Sequence, residues 1–255
     1  MKKANISFAD ILITILILLS IAIFGALGLK ILMTPSRTSL IGKDVSAEQH
    51  ERLGRDKIGY RKYYPLRQGD SWTYSVIEDE DAHEETVRIE GKEIINGVET
   101  VKMMYDDNEY DCIAVDSEGV KQYKEFDDDE YYIFNPPRLV FPNIGIGEDK
   151  RYLTDKILYS IEGSKTEEES ENGKIMLKSI EDIEVPAGKF NDCLKFLVVS
   201  EWKDSNGSYG KDECTIWLAS GVGKVMEQCT EVEYSPDGDV DTETSISKLI
   251  SYNVK

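Results

Sequence analysis

The spacing of apolar residues divides the chain into two regimes. From Ile11 to Leu29 apolar and small residues run on without a charge. At ~1.5 Å of rise per residue such a run crosses the ~30 Å hydrocarbon core of a bilayer, and a helix satisfies its own backbone groups there. The pattern therefore predicts one N-terminal transmembrane helix within residues 1–33. Apolar character continues past Lys30 through Ile31, Leu32 and Met33. A cleaved signal has a shorter apolar stretch ending in a small-x-small site, so the reading is an uncleaved anchor. The first cysteine is Cys112, which excludes a lipidated cysteine close behind the run.

Residues 34–59 read as a juxtamembrane linker. Ser46-Ala47-Glu48-Gln49 fits a capping box for one short helix that Gly54 ends.

From about residue 60 to 255 the pattern changes to alternation with a period of two, broken by turn residues. Trp72, Tyr74 and Val76 share one face. Val87 and Ile89 open a strand that reverses at Asn96-Gly97, the signature of a type I′ hairpin, and Val101, Met103 and Tyr105 return. Tyr110–Val115 and Val120–Phe126 bracket a reversal at Asp116-Ser117-Glu118-Gly119. Asn135-Pro136-Pro137 through Pro142 reads as a connection between two halves. The second half holds strands at Leu153–Ile161, Ile175–Val185, Cys193–Trp202, Glu213–Ala219, Lys224–Tyr234 and Ser245–Val254. The body is thus all-β, about eight to eleven antiparallel strands. A flat sheet of that many strands leaves one apolar face wet, so the expected form is a strongly curved meander sheet or half-barrel.

One hairpin yields a register. With Gly221 and Val222 as the centre of a type II′ turn, Cys214 falls opposite Cys229, and a disulfide becomes possible between them. The count makes this the wider, hydrogen-bonded kind of pair, and a one-residue shift removes it. Cys193 is the next candidate partner, and buried free thiols are the alternative.

Charge narrows the partners. Residues 44–255 hold 48 of the 49 acidic and 25 of the 30 basic residues, leaving −23. Such a body has no attraction for nucleic acid or an anionic leaflet. The even number of cysteines, all in the body, suits an extracytoplasmic location.

Three blocks carry a resemblance. Tyr63-Tyr64-Pro65-Leu66-Arg67-Gln68-Gly69-Asp70-Ser71-Trp72-Thr73-Tyr74, then Val185-Pro186-Ala187-Gly188-Lys189-Phe190 running into Cys193-Leu194-Lys195, then Trp217 with Gly221-Val222-Gly223-Lys224-Val225. In this order they resemble a family of bacterial extracytoplasmic, lipoprotein-like β domains of unknown function. The resemblance implies an envelope-facing curved sheet and no reaction. This chain departs from the family's usual members in starting with a membrane helix instead of a lipidated cysteine. Read as residues, the blocks supply turns and large apolar side chains.

Catalytic constellations are thin. His50 and His83 are the two histidines, one in the linker and the other inside the acidic run Glu78–Glu85, which reads as a solvated loop. No C-x-x-C or His-x-x-x-His spacing indicates zinc. Asp237, Asp239 and Asp241 start a calcium-like alternation, but Thr242 stands where an EF-hand loop needs glycine. No cofactor and no metal is expected. The acidic run Thr166–Glu171 reads as another loop.

The sequence thus points to a membrane-anchored, non-catalytic binding or interaction module. Its candidate ligand-binding residues are Trp72, Tyr74 and Trp217, expected to line the concave face and hold an apolar or saccharide ligand. The alternative is an assembly component of an envelope complex, with Ala22 and Ala26 giving the helix a small-xxx-small seam. An open cavity favours binding; a filled core with exposed apolar edges favours assembly.

Overall fold

The computed structural model describes residues 62–79, 81–105 and 109–255. The Ile11–Leu29 run, the capping box and His50 lie outside them. Among the described residues no helix is long and apolar enough to cross a membrane.

Twelve antiparallel strands follow one another: β1 (Ser71–Glu78), β2 (Asp81–Ile95), β3 (Val98–Met104), β4 (Tyr110–Val115), β5 (Gly119–Asp127), β6 (Glu130–Pro142), β7 (Asp149–Ser160), β8 (Lys165–Val185), β9 (Gly188–Asp204), β10 (Tyr209–Ala219), β11 (Gly223–Tyr234) and β12 (Val240–Asn253). Each pairs with its sequence neighbours, and β1 pairs with β12 from Ser71↔Asn253 to Glu78↔Ser245. The sheet therefore closes into a full barrel, which corrects the expected half-barrel. Closure leaves neither terminal strand as an open edge.

Three segments read as connections or loops lie largely in strands. The proline-bearing connection belongs to β6, where the pairing with β5 breaks between Gln122↔Arg138 and Lys124↔Ile133. Pro136 and Pro137 sit in that break, and the pairing of β6 with β7 stops at Asn135, so neither proline owes a ladder hydrogen bond. The acidic run Thr166–Glu171 belongs to β8, and His83 lies exposed on β2. In both strands the face that apolar residues would mark carries acidic side chains, because the barrel interior is polar at that end.

The turns behave as their residues dictate where the chemistry is strong. Asn96 and Gly97 both take positive φ, and Ile95 pairs with Val98. The β10–β11 turn differs from expectation. It has three residues, Ser220–Val222, closed by Ala219↔Gly223, and an irregularity after Trp217 then restores the register in which Cys214 faces Cys229. These two are joined by a disulfide, with Cα atoms 4.2 Å apart, the spacing of the close pair and not the wide one. Cys112 and Cys193 are buried free thiols, and burial pushes both up to about 11.

The inside of the barrel is apolar toward the end that holds the β10–β11 turn. Ile175, Leu177, Leu194, Phe196 and Leu218 are wholly buried there, beside Phe141 and Ile216. Each such side chain contributes roughly 1.5–3 kcal/mol of burial. Residues 62–69 cap this end: Tyr63 is buried in the core and Gly221 N donates to Lys62 O at 2.6 Å.

All three sequence blocks meet at this closed end. Asp70, fully buried, accepts from the backbone N–H of Arg67 at 3.0 Å and of Lys255 at 3.1 Å, which ties the barrel's first turn to the residues that follow its last strand. Trp72 Nε1 donates to Val222 O at 2.6 Å. The β8–β9 hairpin extends past the end of β10, and its tip reaches β12, where Ala187 N donates to Leu249 O at 2.9 Å and the Phe190 ring meets Tyr252.

Candidate functional site

Alternation along the strands sets what the barrel encloses. In β1, Trp72 and Tyr74 face inward; in β3 and β4, Met103 and Asp111; in β5 and β6, Gln122 and Arg138; in β11, Glu227. Together with Tyr64, Tyr105 and Phe141 these residues surround an interior cavity of about 270 Å³. A second space of about 270 Å³ shares Tyr105, Asp111, Gln122 and Arg138 with it and runs to the opposite end of the barrel, past Glu85 and Glu125 to Glu109 and Asp127. That end, the mouth, is where β5–β6, β7–β8, β9–β10 and β11–β12 turn.

The two sequence-nominated residues of β1 therefore line the cavity. Tyr74 OH donates to Lys224 O at 3.0 Å, and burial pushes its phenol well above the ordinary range, with Glu227 adding to the effect. Trp217 does not line it. Its neighbours Ile216 and Leu218 point inward, so Trp217 sits on the outer face, buried, with Nε1 donating to Glu181 Oε1 at 2.7 Å and Lys195 Nζ 4.9 Å from its ring. The period-two pattern that puts Ile216 and Leu218 in the core assigns Trp217 to the other side.

A polar chain crosses the lumen between cavity and mouth. Tyr105 OH donates to Asp111 Oδ2 at 2.7 Å, and Gln122 Nε2 donates to Asp111 Oδ1 at 2.5 Å. Arg138 donates from Nη2 to Gln122 Oε1 and sets Nη1 3.5 Å from Glu171 Oε2, while Tyr152 OH donates to Glu171 Oε1. Arg138 also lies over the Phe134 ring, 4.9 Å from its centroid. Burial pushes the Asp111 carboxyl up to about 6, and Glu125 adds to this; the hydrogen bonds from Tyr105 and Gln122 and the charge of Arg138 oppose it without prevailing. Deeper in, Lys224 Nζ is 2.6 Å from Glu227 Oε2. Burial alone lowers the lysine's affinity for its proton, but the Glu227 carboxylate outweighs it and the net shift is upward.

Toward the mouth the wall adds Glu169, Asp212 and Glu231, all held above the ordinary carboxylate range, by burial first and then by neighbouring carboxylates. Lys156 lies among them, 3.8 Å from Glu125. Asp111, Gln122, Arg138 and Glu171 carry no local motif. The sequence signal available for them was a polar residue on the inward phase of an otherwise apolar strand.

Among the described residues the one group of metal-type donors is Cys214, Glu227 and Cys229, and its two sulfurs are bonded to each other. The lumen presents hydrogen-bond partners, ring faces and charges of both signs around enclosed space, which is what holding a small molecule requires.

No protein family and no curated protein matches the chain. Solved structures similar to it include one described as a lipoprotein from Parabacteroides distasonis, 11% identical, with a TM-score of 0.40, covering 75% of this chain and 98% of that one. Another, described as an exported protein with a YmcC-like fold from Bacteroides fragilis, is 12% identical with a TM-score of 0.38 and covers 75% and 98%. The hypothetical lipoprotein YmcC from Escherichia coli is 10% identical with a TM-score of 0.37 and covers 81% of this chain and 96% of that one.

Proposed function

We propose that this chain is a membrane-anchored, extracytoplasmic, non-catalytic binding module that holds a small ligand inside its barrel. The observation that carries the reading is the interior cavity, walled by Trp72, Tyr74, Tyr105 and Phe141, which shares Asp111 and Arg138 with a second space on the side of the mouth. A closed barrel with space inside has an interior to offer and no terminal strand edges to pair, which favours a ligand over assembly through edges. The uncharged run Ile11–Leu29 supports the anchor, and the Cys214–Cys229 bond supports an oxidising compartment.

Native mass spectrometry of the full-length protein in detergent, before and after mild organic extraction, tests the reading. A bound mass that extraction removes, and that Tyr74→Ala diminishes, is the expected result. A clean apo mass, together with no change in melting temperature across a library of small molecules, would overturn it.

A further inference from the structure

We propose that the ligand is a small organic cation with an apolar or aromatic body, its ammonium or guanidinium group seated at the neck of the lumen near Asp111 and Glu125, and its body among the rings of the inner cavity. The inference rests on the lumen-binding reading above and narrows it to a charge class.

The distribution of charge along the path carries the argument. The space on the side of the mouth is lined by Asp127 and Glu125, and Asp111 stands between it and the ring-lined cavity. Among the described residues the cations here are each set against a carboxylate of the chain: Arg138 against Glu171, Lys156 against Glu125, and Lys224 against Glu227. Arg138 is held on two sides, since it also donates to Gln122 Oε1. An incoming anion would have to displace one of these carboxylates and then remain among the others. An incoming cation relieves like-charge crowding in a space where water screens it poorly.

The wall beyond the neck suits the same class. Lys224 Nζ lies 5.3 Å from the centre of the Tyr74 ring and the Arg138 guanidinium 4.9 Å from that of Phe134, so aromatic faces in this lumen already stand against positive charge. Tyr64, Tyr74 and Tyr105 keep their protons, each raised first by burial, so they meet a ligand as neutral rings and not as phenolates. The cavity of about 270 Å³ limits the body to a single ring or a short chain.

Three probes of nearly one shape separate the possibilities: 2-phenylethylammonium, 2-phenylethanol and 3-phenylpropionate. Each is measured at pH 7.5 by equilibrium dialysis against the full-length protein in nonionic detergent, with a detergent-only blank. The expected result is about ten-fold tighter retention of the cation than of the alcohol, with the anion weakest. Asp111→Asn should cut the cation's advantage over the alcohol to about three-fold or less. Glu125→Gln serves as a second variant where that one does not fold. Equal retention of all three, or preference for the anion, overturns the cation class while the lumen reading stands. Retention of none overturns both.

Discussion

Replacing Asp111 by asparagine should stabilise the protein at neutral pH. In the fold the Asp111 carboxyl releases its proton at about 6, against an ordinary value of 3.8. Between those two values the folded chain binds more protons than the unfolded one, so stability falls as pH rises through that window. The contribution is fully present below about 3.8 and gone above about 6. The interval of roughly 2 pH units, at 1.36 kcal/mol per unit, sets a cost of about 3 kcal/mol for keeping this group ionised at pH 7.5. Asparagine carries no such cost. Its amide oxygen still accepts from Gln122 Nε2, and its NH₂ meets Tyr105 OH, which can turn to Met103 Sδ, 3.7 Å away. Urea titrations of wild type and variant from pH 4.5 to 8 are the assay. The difference between the two curves cancels the other acids that titrate in the same range. Asp111→Asn should gain about 1.5–3 kcal/mol on wild type at pH 7.5, and the gap should close toward pH 4.5. Parallel curves, or a variant less stable at pH 7.5, would refute the account of Asp111.

Reduction of Cys214–Cys229, separated by 15 residues, should cost about 3 kcal/mol through the loop it closes, read as a lower melting temperature with reductant. In the same protein Cys112 and Cys193 should resist alkylation until the chain unfolds, since both are buried and held mainly protonated; labelling of the native state would contradict their placement. Gly119→Ala should abolish folding, because Gly119 has φ +145° and an added Cβ would meet the Phe141 carbonyl, whereas Gly97→Ala meets open space and costs about 1 kcal/mol by backbone strain alone. Phe196→Ala, wholly buried in the core, should lose about 3–5 kcal/mol in chemical denaturation.

Strand by strand, the fold was legible where the inner face is apolar. Trp72, Tyr74 and Val76, the Asn96-Gly97 turn and the Tyr110–Val115 and Val120–Phe126 pair stand where alternation puts them. Legibility failed toward the mouth. Residues 165–171 of β8 and the first residues of β2 face polar space or solvent, so no apolar alternation marks them as strands. Full closure was hidden for a related reason: it depends on β1 pairing with β12, a contact between residues about 180 positions apart that no local pattern records. The Cys214–Cys229 register was reached through a two-residue turn, whereas the chain uses three residues and a compensating irregularity, so two one-residue differences cancel. Trp217 was expected on the concave face beside a ligand, although the phase of Ile216 and Leu218 already put it outside.

The recognisable blocks therefore supply part of the cavity wall, Tyr64, Trp72, Tyr74 and Lys224, but none of its polar chain. The Tyr63–Tyr74, Val185–Lys195 and Trp217–Val225 blocks converge on the closed end, where they fasten the first turn, a long hairpin and the last strand together. The polar chain from Tyr105 to Glu171 lies outside all three blocks. Within it, Asp111 is distinguished by the direction of its shift. The carboxyls that the fold holds below their ordinary range, Glu93, Asp116, Glu118 and Glu181, each pair with a lysine outside the cavity; lysine hydrogen bonds overcome a cost of burial at Glu93 and Asp116, as the Trp217 hydrogen bond followed by that of Lys195 does at Glu181. Those held above it, Asp111, Glu169, Asp212 and Glu231, line the upper lumen. Apolar side chains on the same inward phase would stabilise the barrel more, as they do a few residues away at Ile175, Leu177 and Phe196. A scaffold needed only for its shape gains nothing from that arrangement, whereas a container for a charged guest recovers the cost when the guest is bound.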